Sequence, residues 1–309
     1  MNRLFGFVAL VLLSSCAAPQ RLGRPEIALT IDDLPVHGPI PAGETPHGVA
    51  TGVIKALTAA HVPAYGFVNA HWTAEQPETL DVLKAWRAAG LELGNHGWAH
   101  RHLSEMTVAD FERELVRNEP VLRPLGGDWH WFRYPFLDEG EDAAKRTAAR
   151  EVLALRGYRV AAVTMDFSDW QWTAPYARCR TVGNAAAIAQ LEQMYLQAAG
   201  EGIAYSRSLS RKLYGRDIPF VLLLHDSAFE ARMLPRLIQV YRSAGFRFVT
   251  LPDAERDPAY ADQLHPDSGA EPKGLEGKAI ARGTPVPDRT DFAPALATIC
   301  AGGPNVPTP

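Results

Sequence analysis

The chain has 309 residues, 47% of them hydrophobic and 21% charged, with a formal net charge of −4. This is globular composition, long enough for one sizeable core. The mild acidity gives no reason to expect nucleic-acid binding, and no interior apolar stretch is long enough to span a bilayer.

The first predicted element is a leader. Arg3 gives a positive start, Leu4 to Leu13 a short apolar stretch, and Leu13-Ser14-Ser15-Cys16 follows. A run this short reads as a signal-peptide core and not as a membrane anchor. The four residues ending in Cys16 resemble a bacterial lipobox, which implies a signal peptide over 1–16 ending at a lipidated Cys16. The alternative is a plain secretion signal whose cysteine is incidental. Ala17 is not the aspartate that resembles inner-membrane retention, so the expectation is a lipid anchor in the outer membrane, facing the periplasm. Residues 17–25 read as a short polar tether. Secretion places Cys179 and Cys300 in an oxidising compartment, where two cysteines read as one disulfide, with two unpaired buried thiols as the alternative.

From Glu26 onward short apolar runs alternate with helical patterns. The expected strands are Ile27–Ile31, Ala64–Val68, Leu91–Leu93, Trp131–Arg133, Arg159–Thr164, Phe220–Leu224 and Phe246–Val249. The expected helices are Val49–Ala60, Pro77–Ala89, Thr107–Leu122, Asp142–Arg156, Ala185–Ala199 and Ala231–Ala244. Glycines such as Gly90, Gly157 and Gly245 punctuate the joints. Regular alternation implies parallel strands with crossover helices, and about seven units suit a barrel, irregular or incompletely closed. The stretch from Gln171 to Gly215 is a long excursion, expected to carry one helix and a second around Ser206–Leu213. Residues 253–309 read as an extension over the surface, with a short helical piece near Phe292–Ile299. The expected catalytic domain is therefore 26–252.

Polar residues follow the strands directly: Asp32-Asp33, then Asn95-His96 and His100, Arg133-Tyr134-Pro135, Asp166 with Asp169-Trp170, and His225-Asp226. Strand C-termini of a parallel barrel open on one face, where active sites sit. Two imidazoles and one carboxylate are a donor set for a catalytic divalent cation with open positions. The i, i+4 spacing of His96 and His100 predicts both rings on one side of a helical turn, with Gly97 beginning that turn.

These segments carry a resemblance. Thr30-Ile31-Asp32-Asp33, His96-x-x-x-His100, Arg133-x-Pro135-Phe136, Asp166-x-x-Asp169-Trp170 and Leu222-x-Leu224-His225 stand in the order of the polysaccharide deacetylase family, carbohydrate esterase family four, also called the NodB-homology domain. They span Glu26 to about Leu251. The resemblance implies a distorted (β/α) barrel and a metal held by Asp33, His96 and His100. Asp32 is then the general base, oriented by Arg133, and His225 the general acid, its pKa raised by Asp169. Trp170, Leu222 and Leu224 would line an acetyl-methyl pocket beside Tyr134, Pro135 and Phe136, with a backbone N–H of Tyr134 or Phe136 assisting the oxyanion. Departures from the family pattern are Leu34 for a glycine after the acidic pair, Gly97 for Ser or Thr, and Phe136 for tyrosine. They touch the rim and the loop supporting the metal, not the ligands or the proton carriers. His37, His71 and His102 read as loop histidines first and pocket residues second.

The expected function is metal-dependent removal of N-acetyl groups from a cell-envelope or exported polysaccharide of N-acetylglucosamine type. The donor set suits zinc, with cobalt, nickel or iron as alternatives. The competing readings are O-acetyl ester hydrolysis on xylan-like sugars, opening of small cyclic amides, and a glycan-binding protein without turnover.

Overall fold

The computed structural model describes residues 23–261, 271–272 and 274–302, so the leader, Cys16 and the tether through residue 22 lie outside the described residues. Strand β1, Glu26–Leu34, lies at the centre of a seven-stranded parallel sheet. Its near-continuous apolar sequence is that of a parallel strand covered on both faces. One edge pairs with β6, Phe220–His225, from Ile27 opposite Phe220 to Asp32 opposite His225. β2, Ala64–Val68, also pairs with β1, and outward from β2 come β3, Glu92–Asn95, β4, Trp131–Phe132, and β5, Arg159–Val160. β7, Arg247–Val249, pairs with the first residues of β1. Beyond β5 the chain reaches β6 at a single bridge, Met165 to Leu222, reinforced where Thr164 Oγ1 accepts from the Val221 N–H at 2.8 Å. That seam curls the sheet into the expected distorted (β/α) barrel.

Helices cover the outside. In chain order they are α1, Pro46–Ala59; α2, Ala70–Glu75; α3, Leu80–Ala88; α4, Val108–Leu122; α5, Ala143–Leu155; α6, Thr173–Thr181; α7, Ala185–Tyr214; α8, Ala228–Ser243; α9, Leu251–Ala254; α10, Leu275–Ala281; and α11, Ala293–Thr298. Side-chain caps start the long ones: Thr45 for α1, Asp142 for α5, Ser227 for α8, and a reciprocal Thr107–Asp110 capping box for α4. No helix among the described residues is long and apolar enough to cross a membrane.

Two expectations are corrected. The excursion carries one unbroken 30-residue helix, α7, where two pieces were expected. Gly202 lies inside this helix, where an added Cβ would come within 3.0 Å of the Phe167 Cβ, so the glycine permits close packing against the loop after β5. The segment after residue 253 is also less of a surface extension than its composition implies. Tyr260, Leu275, Ala279 and Leu296 are buried in the same core as the barrel, and Cys179 of α6 is bonded to Cys300 beyond α11.

Candidate active site

The acidic pair sits where β1 stops being regular. Pairing with β2 slips between Ile31 and Leu34, and Asp33 takes a left-handed φ of 63°. In a regular strand adjacent side chains would point to opposite faces. The irregularity turns both carboxylates into one cavity, and a non-glycine residue held in that conformation is the kind of strain found at functional sites.

His96 and His100 are not on a helix, contrary to the expectation from their spacing. They lie in the loop between β3 and α4, where Gly97 has φ 74° and His100 φ 49°. Left-handed conformation at both positions interrupts any helical turn. The loop is held from beneath by buried amides. The Asn95 Oδ1 accepts from the Gly97 N–H at 2.9 Å and from the Asn118 Nδ2, while the Asn69 Nδ2 donates to the His96 carbonyl at 2.7 Å. Asn118 also joins the ends of β2 and α2, donating to the Val68 carbonyl and accepting from the Ala70 N–H.

This geometry fits a cation. The Arg133 carbonyl can only accept, so the His96 Nδ1, 2.8 Å away, donates to it, and a neutral ring turns its Nε2 lone pair toward Asp33. The distance from His96 Nε2 to Asp33 Oδ1 is 3.3 Å, and from His100 Nε2 to the same oxygen 3.2 Å. Burial lowers the His100 pKa to about 4, so that ring is neutral at pH 7. For Asp33, burial alone would raise the pKa, but His100, His37 and His96 hold it well below the usual carboxylate value. Its Oδ1 is buried without a hydrogen-bond partner among the described residues. An ionised oxygen facing two imidazole Nε2 atoms at these distances is a donor set that fits a cation between them. Ligands about 2.0–2.1 Å from a tetrahedral ion stand about 3.3 Å apart.

Two further pairs flank this trio. Arg133, buried, donates to both oxygens of buried Asp32 at 3.3 and 3.4 Å, and also to Thr30 Oγ1 at 3.0 Å and the Ala161 carbonyl at 2.8 Å. The His225 Nδ1 lies 2.9 Å from Asp169 Oδ1, and the His225 N–H donates to Asp169 Oδ2 at 2.8 Å. Burial alone would depress the His225 pKa, but the charge and hydrogen bond of Asp169, with smaller contributions from Asp33 and Asp32, raise it to about 10. Its Nε2 is left for the cavity it lines.

That cavity, about 290 Å³, is lined by Asp32, Asp33, His96, His100 and His225, with His37, Phe136, Leu137, Asp166, Trp170 and Leu223. The structure therefore brings together the trio, Asp32 and His225, with Arg133 and Asp169 directly behind them. Phe136 and Trp170 lie at the mouth, each about half exposed, together with Leu137. Other expected lining residues lie elsewhere. Leu222 and Leu224 are fully buried in the core, and Leu223 lines the cavity instead. Strand side chains alternate, so with His225 facing in, the inward neighbour is two residues away. Tyr134 turns away and packs its ring against Phe111 and Phe132, and Pro135 is buried beside the Gly97 loop.

His37 stands out among the residues that the sequence left in the background. Its Nδ1 is 2.7 Å from Asp33 Oδ2 and its ring lies 4.7 Å from that of His225. Its spacing of four residues from Asp33 was the available signal. His102 stacks on Phe136 with ring centroids 3.7 Å apart, and His71 pairs with Glu75. Asp166 supplies a third cavity carboxyl, and burial raises its pKa.

The fold is shared with solved structures. A chitin deacetylase from the fungal pathogen Colletotrichum lindemuthianum superposes with a TM-score of 0.52 at 21% identity, covering 74% of this chain and 86% of that one. A CE4 family pseudoenzyme from Bacillus anthracis gives 0.53 at 15%, covering 75% and 66%. The Xyl-CE4 domain of a multidomain xylanase from the hindgut metagenome of Trinervitermes trinervoides gives 0.50 at 18%, covering 76% and 91%. At these identities the likeness concerns the fold, and since one neighbour is a pseudoenzyme, activity must be argued from this chain's own residues. The polysaccharide deacetylase family profile matches residues 20–161, which hold the acidic pair, both histidines and Arg133. The same barrel continues past that segment through Asp169 and His225, so the chain is similar to the polysaccharide deacetylase family over residues 20–161 and keeps its fold beyond them.

Proposed function

We propose that the protein is a metal-dependent hydrolase that removes N-acetyl groups from an N-acetylglucosamine-type polysaccharide of the cell envelope. The observation that carries this reading is the placement of two differently supported proton carriers, Asp32 against Arg133 and His225 against Asp169, around one cation-ready trio in one cavity.

Asp33, His96 and His100 would hold the cation, for which zinc is the leading candidate and cobalt, nickel and iron the alternatives. When bound, such a cation supplies Lewis-acid polarisation of a carbonyl and makes water more acidic. The protein's own groups do the rest. Asp32 accepts the proton of the attacking water, with Arg133 fixing the carboxylate's direction and balancing its charge. As the C–N bond breaks, His225 Nε2 donates a proton to the departing nitrogen, which leaves poorly as an amide anion. Acetate and a free amino sugar result, and His225 recovers the proton gathered by Asp32. Phe136, Leu137 and Trp170 give the mouth an apolar surface against which the C–H face of a sugar ring can stack. A binding protein without turnover would need neither the oriented base nor the oriented acid. The resemblance of Leu13-Ser14-Ser15-Cys16 to a lipobox supports an envelope location, where such polymers occur.

The test is acetate release by the purified chain, with and without chelator, from chito-oligosaccharides and acetylated xylan in parallel. The expected result is chelator-sensitive release with preference for the amide substrate. No release from either, or release unaffected by complete metal removal, overturns the reading; preference for xylan moves it to ester hydrolysis.

A further inference from the structure

Asp33 is flanked on both oxygens. Oδ1 faces His96 and His100, whereas Oδ2 faces His37 at 2.7 Å. Two overlapping donor sets result, Asp33 with His96 and His100, and Asp33 with His37 and His225, each with its ligand atoms within 4.8 Å of one another. We propose that Asp33, His37 and His225 form a second divalent-cation site, sharing Asp33 with the first, and that filling it switches the enzyme off.

The second set is built like the first. In the first, His96 is oriented through Nδ1 by the Arg133 carbonyl; in the second, His225 is oriented through Nδ1 by Asp169. A carboxylate on one imidazole nitrogen with the other nitrogen aimed into a cavity is the arrangement that supports metal-ligating histidines. His37 is placed by its own N–H, which donates to the Asp226 carbonyl at 2.6 Å, and its ring rests against that of His225. A carboxylate with one oxygen toward each donor set can bridge two cations, as in two-metal hydrolases whose ions stand about 3.5–4 Å apart.

The sets are similar in exposure: His96 is 2% and His100 24% exposed, against 11% for His225 and 23% for His37. They differ in what a cation must displace, because the second site requires opening the 2.7 Å contact between His37 Nδ1 and Asp33 Oδ2 and is therefore the weaker one. A cation on His225 Nε2 displaces the proton that must pass to the leaving nitrogen. The inhibitory consequence rests on the proposed acid role of His225; the existence of the second site does not.

Cobalt(II) is the probe, because its visible absorption reports imidazole and carboxylate ligation without any turnover. The metal-free protein is titrated with Co²⁺, with bound ions counted by equilibrium dialysis and acetate release followed in parallel. Two Co²⁺ per chain are expected, the second at least tenfold weaker and adding its own absorption band, with acetate release falling at least tenfold as it binds. His37→Phe, which keeps an aromatic ring against His225, should bind one Co²⁺, and so should His225→Phe; retained binding of the first ion shows that each variant is folded. One Co²⁺ per wild-type chain at millimolar cobalt, or two in both variants, overturns the site. Two ions that depend on His37 and His225, with acetate release undiminished, overturn the inhibition while leaving the site. If no substrate releases acetate under any condition, the fault lies with the deacetylase reading, and the ion count still decides the second site.

Discussion

The two sides of the cavity are built by different means. The metal side comes from β1, β3 and β4, strands adjacent or nearly so in the sheet, and its loop rests on neutral amides: Asn69 and Asn95 hold His96 and Gly97, and Asn118 holds Asn95. The acid side comes from β6 and the turn after β5, and it rests on buried titratable groups. Behind Asp169 and His225 lie Glu230, whose pKa burial raises well above the usual value, its partner Tyr195, and Asp226, which burial raises to about 8. One side is held by groups that do not respond to pH, the other by groups that do. The metal side should therefore fail all at once when a ligand is removed, and the acid side should fail gradually and with pH.

The largest effects test the metal side. Replacing His100 by Ala leaves two of three ligands, and both the bound metal and acetate release are expected to vanish, a loss of about 10⁴-fold or more. Asp32→Asn should keep the metal and lose about 10³-fold in kcat, because a general base contributes roughly 10²–10⁴. Metal counting beside kinetics separates the two. An Asp32→Asn enzyme with unchanged kcat would remove Asp32 from the chemistry.

Asp169→Asn tests the acid side. An amide holds the His225 ring without the charge that raises its pKa, so the alkaline limb of the pH–rate profile should move down toward the ordinary histidine range near 6.5. The loss should be about tenfold or less at pH 6 and about 10²-fold or more at pH 8. Stability follows the same sign. His225 is raised in the folded state, so its contribution is fully present below pH 6.5 and is lost as pH rises through about 10. The Asn variant should therefore be most destabilised at low pH. A uniform loss at every pH would mean that Asp169 only packs.

This division also explains what could be read from the sequence. The metal side was legible because each of its groups directly follows an apolar run, and the family profile covers that half. The acid side lies beyond residue 161, where β5 has shrunk to two residues and the next strand follows a long excursion. His225 was found because β6 is a clear apolar run, but Leu222 and Leu224 were put on the wrong face because a run without polar alternation does not reveal which residues point inward. The helical reading of His96 and His100 failed because spacing alone does not record two left-handed residues. His37 was visible as a histidine four residues after Asp33, yet its place between two functional groups depends on the turn after β1 and on the Asp226 carbonyl, which are tertiary features.

The disulfide belongs to the acid side alone. It joins residues 121 apart, tying α6 to Cys300, and none of Asp33, His96 and His100, the candidate ligands of the first site, lies in α6 or beyond it. Cross-links of that span typically contribute about 2–4 kcal/mol, much of it by restricting the unfolded chain. Replacing both Cys179 and Cys300 by Ala should lower stability by about 3 kcal/mol in denaturant unfolding and leave the count of tightly bound metal unchanged. Loss of that metal in the double variant would break the division between the two sides.

Asp226 gives the finest test. It is fully buried, and neither carboxylate oxygen has a hydrogen-bond partner among the described residues. In the unfolded chain it ionises near 3.8, in the folded chain near 8, so between those values the folded state holds a proton that the unfolded state has released. Folding is therefore progressively disfavoured as pH rises from about 4 to 8, and the penalty stays constant above that. Asp226→Asn removes the titration while keeping the shape. Its melting temperature should nearly match the wild type at pH 4 and exceed it at pH 8, by the equivalent of at most about 5 kcal/mol. A gap independent of pH would mean that Asp226 does not titrate in the folded protein, and the pH response of the acid side would then have to come from His225 and Glu230.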